Sequence, residues 1–291
     1  MNGNDIVAAF RRSLERLFDE VSAFHTSQGG EPKPGSIAAQ ERASYSRPDA
    51  IQTVLGITNL LLESVGEHVT TFVKTITEPV NPLAAWTCVR SMLESSAIAA
   101  WLLDPAINAQ TRVGRVFAHR YEGMEQQLKL MNAMGTPAAD IQKFEAHIND
   151  TENIAFSLGF ARLRNNRGQI TSIGQPMPNA TEMIQLMLQE GIAYRLMSAV
   201  AHGHTWALQQ VGFKAAGPTV FGQNGVVVTP YEKHSGTVQG YAFLATRAAK
   251  CFAVPLWNHC RYFGWNDIKL KETFESVYDE FQGSISIRFW R

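Results

Sequence analysis

The sequence has few cysteines and no long apolar run, and each shortage excludes a class of protein. Its three cysteines, Cys88, Cys251 and Cys260, are widely spaced. Without a Cys-x-x-Cys pair they predict neither a disulfide framework nor a cysteine zinc site, and buried free thiols are expected instead. The longest apolar run, from Ala97 to Leu103, has seven residues. A bilayer span needs about 20, so we expect no membrane segment.

Charge and sequence motifs are also scarce. Only 18% of the 291 residues are charged, and 26 basic side chains balance 26 acidic ones, so the whole chain carries no electrostatic signature of a nucleic-acid or membrane binder. Gly-x-Ser-x-Gly, Gly-x-x-x-x-Gly-Lys-Ser/Thr and Gly-x-Gly-x-x-Gly are absent, which removes support for a serine hydrolase or a nucleotide-binding loop. No cofactor is expected. Charged residues from Arg11 to Arg16 leave no signal peptide, and the expected location is the cytoplasm.

What the sequence does contain is apolar residues at helical spacing, which predicts an all-α fold: a multi-helix bundle with a small β-hairpin insertion. Residues 1–48 are predicted to form an N-terminal helix plus a flexible loop, the helix acting as an arm that docks on the rest of the chain or on a second subunit. Residues 49–291 are predicted to form the helical bundle domain, with the hairpin near 218–232 because Asn224-Gly225 favours a tight turn. Proline, glycine and capping residues place the helices at about 5–25, 49–78, 81–104, 108–134, 136–158, 179–208, 235–263 and 267–281. Residues 159–178 are interpreted as a loop, and alternating Ile285, Ile287 and Phe289 predict a short strand.

Two charged residues occupy an apolar helix stripe. At about 100° per residue, Arg90 and Glu94 fall on the same side of their helix as two tryptophans, Trp86 and Trp101. The base precedes the acid, which is the less favourable order for an exposed pair. We therefore expect a partly buried ion pair, which either fixes the packing of the helix or lines a pocket.

A second unusual pair occurs on the helix that begins at Asn179. Arg195 and His202 are seven residues apart, nearly in line and about 10 Å apart along the axis, with Ser198 between them. An arginine and a histidine so placed either converge on an anion such as a phosphate or satisfy buried carboxylates such as Glu94. The same spacing at Arg112 and His119 lies on a polar stripe, which we interpret as a solvated face.

His202-Gly203-His204 looks at first like a metal chelate. On a continuous helix the two imidazoles point about 160° apart, and no third ligand is close in sequence. Only a helix break at Gly203 would bring them together, so no metal is expected.

Two resemblances follow from these segments. Residues 86–104 and 194–203 resemble a group of bacterial helical proteins common in actinobacteria, which implies no particular activity. Arg195 and His202, with six residues between them, resemble the Arg-x(4–6)-His signature of HEPN domains, helical bundles that are often dimeric and occur in toxin–antitoxin and phage-defence systems. Active members cut RNA without metal, using the Arg and His of both subunits. The resemblance implies that Arg195 holds the phosphate and that His202 is the general acid or base.

Three hypotheses follow. In the first, the chain is a HEPN-like protein that acts on RNA through Arg195 and His202, as a homodimer. In the second it is a non-enzymatic module whose Arg90, Glu94, Arg195 and His202 form a polar pocket for a small anion or a protein partner. In the third the four residues are an internal ionic network, and the function lies in association through the N-terminal arm. The first two require the ionic side chains of two helical segments to face one another.

Overall fold

The computed structural model describes residues 3–77, 81–221, 227–234 and 236–283. The predicted all-α bundle with a small hairpin is confirmed. In chain order the elements are α1 (Gly3–Ser27), α2 (Ile37–Ser44), α3 (Pro48–Thr75), α4 (Pro82–Leu102), α5 (Ala109–Ala133), α6 (Ala138–Ser157), β1 (Arg162–Arg164), β2 (Ile170–Ile173), α7 (Ala180–Leu188), α8 (Gly191–Ala201), α9 (Thr205–Val211), β3 (Phe213–Ala215), β4 (Val220–Phe221), β5 (Val227–Val228), β6 (Tyr231–Lys233), α10 (Val238–Phe263) and α11 (Ile268–Gly283).

Helix α4 lies at the centre of the bundle because it is apolar around most of its circumference. Thirteen of its 21 residues are buried, and it packs against α3, α7, α8 and α10. A helix of this composition is stable only when other elements surround it. The few charged side chains on α4, Arg90 and Glu94, therefore lie where neighbouring helices must provide polar partners.

Helix α1 is docked on the rest of the chain. Phe10, Leu14 and Leu17 are buried in the main core, where α1 packs against α3, α10 and α11. The predicted flexible loop needs a correction at residues 37–44, which form α2 behind the N-cap of Ser36. Apolar spacing did not predict this helix because it has only eight residues and one of its two buried residues, Glu41, is charged.

The predicted continuous helix from Asn179 is divided into α7, α8 and α9. Asn179 begins α7 with a capping box, as its position predicted. Gln189 then takes a left-handed φ of 57°, and Gly203 takes one of 72°. Left-handed residues end helices because they redirect the chain. Neither break contains a proline, so the apolar spacing continues through both and conceals them.

Short antiparallel ladders complete the described chain. β3 pairs with β6, and β4 pairs with β5, so the predicted hairpin is present and begins earlier, at Phe213. Its Asn224-Gly225 turn lies outside the described residues, as does the predicted strand at 285–289. β1 and β2 form a further hairpin within the segment interpreted as a loop. None of the helices in the described ranges has the length and apolarity needed to cross a bilayer. The three cysteines are free and buried.

Candidate functional site

Helices α4 and α8 meet through a polar cluster made of Arg90, Glu94 and Tyr194. The Arg90 Nη2 and Glu94 Oε1 atoms are 2.9 Å apart. The Tyr194 hydroxyl donates to the same Glu94 oxygen at 2.7 Å and accepts from Arg90 Nη2 at 3.5 Å. The Arg90 guanidinium carbon also lies 5.6 Å from the centre of the Tyr194 ring. The predicted partly buried pair of Arg90 and Glu94 is thus confirmed, and a tyrosine from α8 completes it.

The cluster balances its own charge. Glu94 neutralises Arg90, and burial of Tyr194, followed by its hydrogen bond to Glu94, raises the pKa of the phenol, which therefore remains a donor. An anion entering here would have to displace Glu94 from Arg90. The arrangement therefore favours a role in holding α8 against α4, and it disfavours the predicted small-anion pocket.

The predicted convergence of Arg195 and His202 on this cluster is wrong. Both side chains are exposed, and within the described chain neither has a hydrogen bond or an ion pair. The buried residues of α8 include Ala193, Met197 and Val200, and at about 100° per residue Arg195 falls on the opposite side. The sequence interpretation was off by one residue, because Tyr194 is the side chain that turns toward α4.

Arg195 and His202 instead share one side of α8 with Ile192 and Ser198. We call these four residues the α8 outward face. Ile192 is 87% exposed, and Ser198 is half-buried. His202 is the C-cap residue of α8, and its backbone N–H donates to the Ser198 carbonyl at 2.9 Å. Beyond the break, Trp206 in the first turn of α9 is 52% exposed. None of the four side chains of the α8 outward face belongs to the hydrophobic core.

The helix break at Gly203 that a metal chelate would require does occur. Nevertheless, no group of three potential metal ligands assembles in the described residues. His202 and His204 are both exposed on either side of the break. Two imidazoles without a third ligand do not form a protein zinc site.

The solvated face expected at Arg112 and His119 is wrong, since Arg112 is fully buried. Its Nε donates to Glu41 at 3.1 Å, and its Nη1 and Nη2 donate to the carbonyls of Leu102 and Ile107 at 2.6 and 3.2 Å. Tyr262 also donates to Glu41, at 2.6 Å. The acceptors of Arg112 belong to α2, to the end of α4 and to the loop that follows α4, and Tyr262 of α10 lies against the guanidinium. The pattern of α5 alone therefore does not predict them. Arg112 therefore holds the fold together.

Residues missed from the sequence have weak local signals. Tyr194 could have been found from its place one turn before Ser198, since a buried tyrosine needs a partner for its hydroxyl. A second cluster, in which Glu190 contacts Arg247 and Lys250 at 3.1 Å each, ties the α7–α8 turn to α10. Its members are distant in sequence and share no motif.

Comparison with protein families, with curated proteins and with solved structures finds no match to this chain.

Proposed function

We propose that the protein is a HEPN-like, metal-independent RNA-cleaving protein of the defence or toxin type, which acts through the outward face of α8. The observation that supports this is the shared exposure of Arg195 and His202 on one side of α8, where neither holds the fold together. Because neither side chain is used in packing, both are accessible to a ligand. Arginine, histidine and a nearby exposed tryptophan suit a single-stranded RNA, because guanidinium binds phosphate and indole stacks on bases.

The expected facing of the ionic side chains of α4 and α8 within one copy is wrong, so the proposed site is instead completed by a second copy of the chain. Arg195 and His202 lie about 10 Å apart along α8, too far to meet easily on one phosphate. A two-fold axis near Ser198 would set two α8 helices antiparallel and place Arg195 of one copy beside His202 of the other. The small side chain of Ser198 at this midpoint permits close approach of the helices. Exposed Ile192 supports the same arrangement, since large apolar side chains at a surface often mark contacts.

The proposed reaction needs only a base, an acid and a cation. An imidazole removes the proton of a ribose 2′-hydroxyl, whose oxygen attacks the adjacent phosphorus. The bond from phosphorus to the 5′-oxygen breaks, and that oxygen receives a proton from the imidazolium formed in the first step, which restores the neutral imidazole. Arg195 would stabilise the charge on the phosphate oxygens. The products carry a 2′,3′-cyclic phosphate on one fragment and a 5′-hydroxyl on the other.

The experiment compares two neighbouring histidines. The protein is incubated with labelled single-stranded RNA in excess EDTA, and the ends of the fragments are identified by mass spectrometry. His202→Ala is expected to lower the rate by about 100-fold or more. His204→Ala is the matched control, since His204 is also exposed and makes no side-chain capping bond. Absence of cleavage by the unaltered protein, or equal rates for the two variants, would contradict the proposal.

A further inference from the structure

A cavity lies between the start of α4, the end of α9 and the start of α10, separate from the outward face of α8. Its volume is about 200 Å³. Trp86, Tyr241 and Phe243 provide aromatic walls, and Leu196 and Val211 provide aliphatic ones. Neither the Arg90–Glu94–Tyr194 cluster nor Arg195 and His202 line it. This cavity is therefore a feature that the proposed reaction leaves unexplained.

Two glycines keep the cavity open. A Cβ at Gly240 would lie 4.0 Å from Cζ2 of Trp86 and 3.2 Å from Oγ1 of Thr237, so a longer side chain there would extend across the wall. A Cβ at Gly236 would lie 2.8 Å from the Tyr241 hydroxyl. Glycine inside a helix costs roughly 1 kcal/mol relative to alanine. Gly240 lies in the first turn of α10, so the helix bears this loss of stability at a position that borders the cavity beside the Trp86 indole.

The aromatic wall is held in a fixed orientation. The rings of Trp86 and Phe243 are stacked, with centres 5.6 Å apart and planes 28° apart. The Arg247 guanidinium carbon lies 3.5 Å from the centre of the Phe243 ring. Arg247 is fixed in turn by Glu190, at 3.1 Å. Trp86 and Arg247 thus cover the two faces of Phe243, so Trp86 is the ring left to pack against a flat ligand, and Phe243 fixes its orientation before binding.

The chemistry of the lining restricts the ligand. None of the described residues that line the cavity is charged, so a charged ligand would lose its hydration without gaining a counter-charge. Gln210, Thr237 and Gln239 are exposed lining residues and offer amide and hydroxyl groups. The volume exceeds the roughly 150 Å³ of an apolar cavity known to bind benzene. These features fit one planar, uncharged ring that carries hydrogen-bonding groups.

We propose that this cavity binds a single uncharged heteroaromatic ring of nucleobase size, packed against Trp86. The proposal does not depend on RNA cleavage. The ring could be supplied by a free nucleoside or by an unpaired base of a single strand, because both present the same flat, uncharged face.

Binding is measured by saturation-transfer NMR and titration with adenosine, guanosine, cytidine and uridine. A second arm uses short DNA single strands, which lack the 2′-hydroxyl and cannot be cleaved by the proposed reaction. Ribose is the non-aromatic control.

Gly240→Leu should weaken binding tenfold or more by filling the cavity, whereas Gly240→Ala, which adds one carbon, should bind within about threefold of the unaltered protein. Thermal unfolding checks that each variant is folded.

Leu196→Trp fills the cavity from α8 and decides the outcome if Gly240→Leu does not fold. If nucleosides bind and both Gly240→Leu and Leu196→Trp weaken that binding, the ligand is a free nucleoside. If only DNA strands bind and both variants weaken that binding, the ligand is an unpaired base within a strand. If no nucleoside or strand binds at millimolar concentration, or if binding survives filling of the cavity, the proposal is overturned.

Discussion

The Tyr194 hydroxyl donates a 2.7 Å hydrogen bond to Oε1 of Glu94, and this contact sets the rotation of α8 on the central helix. Because Tyr194 faces α4, the next residue, Arg195, falls on the exposed side. The same rotation exposes His202, two turns later. The polar cluster thus determines which side chains α8 offers to solvent.

Tyr194→Phe is predicted to destabilise the protein by about 1 kcal/mol, because it removes a donor from a half-buried carboxylate while preserving the ring. Urea unfolding measures this loss. Tyr278→Phe is the control, since Tyr278 is 47% exposed and its loss should change the free energy of unfolding by less than about 0.5 kcal/mol. Equal effects of the two variants would show that the Tyr194–Glu94 bond does not contribute to stability.

Arg112→Met is predicted to cost about 3–5 kcal/mol, because it leaves the buried carboxylate of Glu41 without its cation. Arg167→Met, in an exposed turn, should cost less than about 0.5 kcal/mol. Adding Glu41→Gln to Arg112→Met should recover part of the loss, since the uncompensated charge is then removed. Urea unfolding of the three variants tests this, and a loss no larger than that of Arg167→Met would contradict the role assigned to Arg112.

Acid is predicted to destabilise the protein through His259. Burial, and to a lesser extent the nearby His25, lowers the pKa of His259 to about 3, whereas an unfolded histidine titrates near 6.5. Between these values the unfolded chain binds more protons, so this contribution to stability is present above about pH 6.5 and is lost as the pH falls toward 3. The expected slope is about 1.4 kcal/mol per pH unit.

The pH slope of urea unfolding between pH 6 and 4 measures this contribution. His259→Phe should reduce the slope, since phenylalanine can pack beside Phe263 and Trp265 without titrating. His147→Phe, at an exposed position, should leave the slope unchanged. If both variants keep the slope of the unaltered protein, His259 is not the group responsible.

Ile192→Glu is predicted to abolish self-association, because it places charge on the outward face of α8 at its most exposed apolar residue. Sedimentation velocity should find a dimer for the unaltered protein and a monomer for Ile192→Glu. Leu60→Glu is the matched control, since Leu60 is 73% exposed on α3, away from α8. A monomeric unaltered protein, or loss of the dimer in both variants, would argue against the proposed two-fold contact.

The helices and their order could be predicted because apolar spacing and capping residues act locally. Asn179, for example, satisfies the first N–H groups of α7 through its own side chain and that of Glu182. The breaks at Gln189 and Gly203 could not be predicted from periodicity, since a left-handed residue interrupts the backbone without interrupting the apolar pattern. That error carried over to the site, because a continuous helix implies a single rotation for Arg195, His202 and Trp206.

The pair of Arg90 and Glu94 could be predicted from its place on an apolar stripe, but its partner could not. Neighbouring residues of a helix point about 100° apart. To predict whether Tyr194 or Arg195 faces α4, the rotation of α8 about its axis must therefore be known to better than about 100°. That rotation is set by the packing of Met197 and Val200 in the core together with the Tyr194–Glu94 hydrogen bond. Arg112 shows the same limit, since its acceptors belong to α2, to the end of α4 and to the loop that follows α4.

Complementation between two inactive variants tests the central claim most directly. Arg195→Ala and His202→Ala are assayed for RNA cleavage in EDTA, separately and after mixing in equal amounts under conditions that exchange subunits. If each site combines Arg195 of one copy with His202 of the other, half of the mixed population forms hybrid dimers with one intact site in two, so about a quarter of the original rate should return. Each variant alone should be inactive. A mixture that stays inactive although hybrid dimers form, or full activity of either variant alone, would contradict a site shared across α8.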